Sequence, residues 1–66
     1  MLVLNEQDFY ERLTNSCKFG FSYIGKGMFV HPKIGGWKIL DKNTWREIFS
    51  SNDREKLYKF YIENSI

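Results

Sequence analysis

The chain carries one cysteine, one proline and one histidine, and it has no apolar run approaching the length needed to cross a bilayer. Each scarcity excludes something. Cys17 alone cannot close an internal disulfide, and with a single histidine there is no Cys/His set to hold zinc. A lone thiol suits a reducing compartment, so a cytoplasmic location is expected. Without about 18 consecutive apolar residues no transmembrane helix is expected. Met1-Leu2-Val3-Leu4 is too short, and lacks the basic leader, for a signal peptide. The carboxylates sit mostly in helical stretches beside basic neighbours and form no paired arrangement of the kind that drives acid–base hydrolysis. No cofactor, no metal and no catalysis are expected.

What remains is dense in rings. Hydrophobic residues make up 42% and aromatic residues 18% of 66 residues, enough for one small domain spanning 1–66 with a ring-packed core, near the lower size limit for folding alone. The net charge of +2 is unevenly spread. Residues 1–16 are net acidic through Glu6, Asp8 and Glu11. Residues 17–42 are strongly basic through Lys18, Lys26, Lys33, Lys38 and Lys42 against Asp41. The remainder balances. Lysines on hairpin edges and turns discourage sheet-to-sheet aggregation, and they would also favour an anionic partner.

The pattern predicts a helix from Glu6 to about Ser16. Asn5 is its N-cap, Leu4 and Phe9 form a hydrophobic staple, and Phe9, Leu13 and Cys17 recur at helical spacing. Thr14-Asn15-Ser16 should end it. Three antiparallel strands follow at Lys18–Ile24, Met28–Pro32 and Trp37–Asp41. Gly25-Lys26-Gly27 and Gly35-Gly36 punctuate them.

Turn length decides which side chains share a face. A two- or four-residue first turn groups Phe19, Phe21 and Tyr23 with Met28 and Val30. A three-residue Gly25–Gly27 loop puts Phe29 and His31 with the phenylalanines instead. The first arrangement is preferred because it keeps His31 out of the core. A turn at Gly35-Gly36 then pairs Ile34 with Trp37 and Pro32 with Ile39. The buried face becomes Phe19, Phe21, Tyr23, Met28, Val30, Ile34, Trp37 and Ile39. Pairing should fail near Pro32, which has no N–H to donate.

Thr44 and Glu47 make a capping-box pair ahead of Trp45, Ile48 and Phe49, which predicts a short helix ended by Ser50-Ser51; a strand over Glu47–Phe49 is the alternative. Asn52 and Glu55 repeat the capping spacing, and Leu57, Phe60 and Tyr61 form an apolar stripe on a last helix from Asp53 to about Ile62. Glu63–Ile66 should fray. The fold class is therefore α+β: a helix, a three-stranded antiparallel meander, then one short and one longer C-terminal helix on one sheet face.

Phe9, Leu13, Phe21, Tyr23, Gly25-Lys26, Gly35-Gly36-Trp37, Ser51 and Leu57, taken with this layout, resemble a loose group of small uncharacterised proteins from low-GC Gram-positive bacteria and their phages. The likeness would span most of the chain. It implies the fold and carries no activity with it.

Two motifs fall short of chemistry. Gly20-x-x-x-x-Gly25-Lys26 approaches a phosphate-binding loop, but Gly27 stands where a magnesium-holding Ser or Thr belongs, and the intervening residues read as strand. Cys17 and His31 could pair only if the imidazole reached the sulfur, and Cys17 on the apolar stripe of its helix reads as a buried packing residue. The second sheet face is the better candidate, with Phe29, His31, Lys33, Lys38 and Leu40 at its centre. Rings bordered by lysines suit a protein interface. The expected function is a small non-catalytic protein-interaction module, a phage or mobile-element product acting on a host protein. The alternative is a weak single-stranded nucleic-acid binder using the same rings and lysines. Open sheet edges also permit a homodimer, and no membrane partner is expected.

Overall fold

The computed structural model describes residues 3–64 and places six elements in the order α1 (Glu6–Phe19), β1 (Ser22–Gly25), β2 (Met28–Lys33), β3 (Gly36–Asp41), β4 (Glu47–Ser51) and α2 (Arg54–Glu63). The strands form one antiparallel sheet in the order β1-β2-β3-β4. Both helices lie on one face, α1 against β1 and β2 and α2 against β4. The α+β class and the single covering layer agree with expectation, but there are four strands and one C-terminal helix instead of three and two. Val3 and Leu4 are described from the lead-in; Met1, Leu2 and, at the other end, Ser65 and Ile66 lie outside the described residues.

Asn5 caps α1, its Oδ1 accepting from the Asp8 N–H at 2.8 Å. Glu6 and Asp8 in the first turn and Lys18 in the last complement the helix dipole. The helix does not stop at Ser16. It runs a further turn until Gly20, whose left-handed φ of 91° lets its N–H return to the Ser16 carbonyl. The local weakness of Thr14-Asn15-Ser16 is outweighed by packing, and the buried stripe runs through Phe9, Leu13 and Ser16. Ser16 is buried, its hydroxyl donating to the Leu13 carbonyl at 2.7 Å, while Cys17 is exposed. The buried packing role expected of Cys17 belongs to its neighbour.

The first hairpin takes the register that the sequence reading set aside. Tyr23 pairs with Phe29 and Ser22 with Val30, and a bulge at Ile24 follows before Gly25 meets Met28. Lys26 and Gly27, both at positive φ, form the turn. The consequence is a flip of β1. Ile24 enters the core beside Met28 and Val30, while Phe19, Phe21 and Tyr23 are exposed. His31 still stays out of the core, because it is the phenylalanines that face outward with it.

In the second hairpin Lys33 pairs with Gly36, Pro32 with Trp37 and Val30 with Ile39. The turn is Ile34-Gly35, one residue earlier than expected. That moves the register by two, so the faces are kept, but Ile34 leaves the buried set and stands fully exposed at the tip. Pairing with β1 ends at Val30, so Pro32 has no β1 partner to donate to, which is where a residue lacking N–H belongs.

Residues 47–51 adopt the alternative, a strand. The Thr44 hydroxyl accepts from the Arg46 N–H rather than from Glu47, and Asp41 closes the connection by accepting from Asn43 and Trp45. Trp45 takes a φ of +60°, a conformation a continuing helix cannot contain. Ile48 and Phe49 pack against the core from β4, and α2 starts at Asp53, whose Oδ1 accepts from the Glu55 N–H at 2.9 Å.

The core is Leu4, Phe9, Leu13, Ile24, Met28, Val30, Ile39, Leu57 and Tyr61. Burying each large apolar side chain contributes about 1.5–3 kcal/mol. Polar atoms stitch the elements together around it. Tyr58 donates its phenol proton to the Leu4 carbonyl at 3.2 Å, and the Tyr61 oxygen accepts from the Leu4 N–H at 3.0 Å. The Trp37 indole N–H donates to the Leu13 carbonyl at 3.2 Å, and Arg12 donates to the Tyr23 carbonyl on edge strand β1 at 2.6 Å.

Candidate functional site

The outer face of the sheet, away from both helices, is where rings gather. Side chains alternate along a strand, so Phe29 on β2 shares its face with His31 and Lys33, and cross-strand pairing adds Tyr23 from β1 and Leu40 and Lys38 from β3. Phe21, just before β1, stands edge-on to Phe29 with centroids 5.6 Å apart. Tyr23 lies tilted against Phe29 at 5.1 Å. Trp45 folds over from the β3–β4 connection and lies almost parallel on Phe29, at 4.9 Å and 15°, while Phe21 meets it edge-on at 6.0 Å. Offset and edge-to-face contacts of this kind contribute roughly 0.5–1.5 kcal/mol each beyond simple burial.

These rings remain open to solvent. Trp45 keeps 52%, Phe21 48% and Tyr23 41% of their surface exposed. A contiguous exposed apolar patch is uncommon on a protein that acts alone. Trp45 is also held in the left-handed region, which costs a side-chain-bearing residue about 1–2 kcal/mol. Hydrogen bonds fix it there: its N–H donates to the Asp41 carbonyl at 2.8 Å, Asp41 N–H donates to the Arg46 carbonyl at 3.0 Å, and Lys42 N–H reaches the Gly27 carbonyl at 2.9 Å. Backbone strain that surrounding structure holds in place often marks a working site.

Along the β2–β3 ladder the face changes character. The Phe29–Leu40 pair is apolar, His31–Lys38 follows, and Lys33–Gly36 ends it. Lys42 returns charge to the ring end, its ammonium 5.8 Å from the Tyr23 centroid. Glu47, opposite Leu40, is an exposed carboxylate at the same end.

All five residues singled out from sequence fall on this one face, but not in equal roles. Lys33 is exposed, and Phe29, His31 and Lys38 are half-buried. Leu40 is only 5% exposed, so it supports the rings from beneath and offers little surface of its own. Phe21, Tyr23 and Trp45 were missed. The first two were assigned inward by the wrong hairpin register, and Trp45 was assigned to a helix. A signal for them lay in Ile24, an aliphatic β-branched residue better suited to a buried strand face than its ring-bearing neighbours' alternation suggested.

The basic margin is narrower than the sequence implied. Lys26 is buried at the tip of the first hairpin, its ammonium donating to the Tyr61 and Ile62 carbonyls, the latter at 3.1 Å, and lying 4.9 Å from the Tyr61 ring centroid. It supplies the positive charge that the last turn of α2 lacks. His31 Nδ1 lies 2.9 Å from the Pro32 carbonyl, on the sheet face opposite the one α1 covers, whereas Cys17 is exposed on α1. The two are not brought together.

A second concavity, an open groove of about 620 Å³, runs beside α1 and the start of α2 and is lined by Glu6, Tyr10, Glu11, Lys18 and Arg54 among others. The Tyr10 phenol donates to Glu6 at 3.2 Å and the Arg54 guanidinium sits 4.8 Å from its ring centroid. Partial desolvation, then the Glu6 hydrogen bond and the charges of Glu6 and Glu55, push the Tyr10 pKa upward against the opposing charge of Arg54. These groups largely satisfy one another. Among the described residues no cluster of three His, Cys, Asp or Glu side chains is placed to hold a metal ion, and no helix is long and apolar enough to cross a membrane. Comparison with protein-family models, curated proteins and solved structures gives no match.

Proposed function

We propose that this chain is a small non-catalytic binding module that docks onto another protein through the outer face of its sheet. The observation that carries the reading is the half-exposed cluster of Phe21, Tyr23, Phe29 and Trp45, with Trp45 held at positive φ. Rings that lose water on contact dominate the energetics of protein interfaces, and Trp and Tyr are the commonest of them. A host protein is the partner if the chain is a phage or mobile-element product, a reading its small size fits.

A photo-crosslinking residue, p-benzoylphenylalanine, placed at Phe21 tests this in the source cell. A discrete, protease-sensitive adduct that disappears when Trp45→Ala is added supports protein docking. An adduct removed by nuclease supports the second reading, a single-stranded nucleic-acid platform, for which rings on a four-stranded sheet beside a lysine such as Lys42 speak. An adduct of twice the chain mass with the chain itself indicates the homodimer.

A further inference from the structure

Resting on the protein-docking reading, we infer that the segment this face takes is acidic and two-part: an apolar anchor followed directly by a run of carboxylates. The layout of the face is the argument. Rings occupy one end, where Trp45 lies on Phe29 and Phe21 and Tyr23 flank it. Lysines occupy the other, with Lys38 at the next cross-strand pair, opposite His31, and Lys33 at the one after. Same-face residues on a strand are about 7 Å apart. An anchor seated on the rings therefore places its following residues over Lys38 and Lys33 within about 7–14 Å. Lys42 borders the rings on the Tyr23 side, and Glu47 is the carboxylate opposing them across the ladder. Complementary charge of this kind selects partners and speeds their encounter.

The rings themselves favour an apolar side chain over a nucleobase. Base stacking needs an open ring face. Here Trp45 takes one face of Phe29, and Phe21 turns its plane by 74° to Phe29 and 87° to Trp45, so the cluster offers no set of parallel open faces to successive bases. Rings set at these angles make an uneven apolar surface, suited to a Leu or Phe side chain.

The probes are two synthetic peptides carrying Leu-Phe-Leu followed by a run of Glu, or by Lys in place of every Glu, and an oligothymidylate of matching negative charge. Each is titrated into the full chain labelled with nitrogen-15. The acidic peptide should shift the amides of Phe21, Tyr23, Phe29 and Trp45, weaken by about tenfold between low and high salt, and bind at least about tenfold more tightly than its lysine counterpart. In a chain carrying Lys33→Glu, Lys38→Glu and Lys42→Glu the preference should reverse; the peptide comparison on the unaltered chain decides the matter if that variant does not fold. Equal binding of both peptides overturns the inference. So do shifts confined to α1 and α2, tighter binding of the oligothymidylate, or no shift at all. A protein adduct from the Phe21 crosslink would survive any of these outcomes, so the docking reading and the partner's chemistry fail separately.

Discussion

On the inner face of the sheet, Ile24, Met28, Val30 and Ile39 are almost wholly buried, while on the outer face the larger Phe21, Tyr23 and Trp45 stay about half exposed. Apolar character alone does not separate the two sets. What differs is the layer above them. Two helices seal the inner face, and compact aliphatic side chains fill the narrow gap beneath. Over the outer face the β3–β4 connection folds back, and Trp45 from it lies on Phe29. The rings there pack on one another, Trp45 flat on Phe29 and Phe21 edge-on to both, and stay open to solvent. A sheet of this kind keeps its stability on one side and its contact surface on the other.

Substitutions paired across the sheet can break that division. Ile39→Ala empties a fully buried site and should cost about 2–5 kcal/mol in urea unfolding. If it costs no more than a surface change, the helices do not seal the inner face as described. Leu40→Ala, one residue on and facing the other way, should cost about 2 kcal/mol, since Leu40 is roofed by rings alone. Equal losses at the two positions would mean that both faces are core. The smallest contrast isolates backbone strain. Trp45→Gly and Trp45→Ala both lose the stacking on Phe29, but only glycine relaxes at φ +60°, so the glycine variant should be the more stable of the two by about 1 kcal/mol. Phe21→Ser gives up the edge-on contacts to Phe29 and Trp45 and should cost about 1 kcal/mol in the same assay while removing a flank of the contact surface.

Much of the fold was legible from local chemistry. The cap at Asn5, the apolar stripes of both helices, the strands around Val30 and Ile39 and the α+β class all follow from spacing and turn residues. What was not legible turned on one-residue decisions. The bulge at Ile24 reverses β1, and no rule of alternation reveals an inserted residue. Ser16 and not Cys17 joins Phe9 and Leu13 on the buried stripe, since positions three and four after Leu13 both lie near that face and spacing alone does not choose between them. Residues 47–49 carry a helical capping pattern and an apolar stripe, yet pairing with β3 and packing beneath α2 prevail over local preference. The candidate face was legible where alternation survived the shifted turn, at Phe29, His31, Lys33, Lys38 and Leu40, and hidden where it depended on β1 or on a connection read as helix.

Lys26 ties the tip of the first hairpin to a helix end 35 residues further along the chain. An ammonium so enclosed is shielded from amine-directed reagents for as long as α2 stays docked. Its labelling rate should lag behind that of exposed Lys33, Lys42 or Lys59, and the lag measures how often the final helix lifts away. The chain thus carries its own timer for the opening of its C-terminal end, readable by mass spectrometry without any substitution.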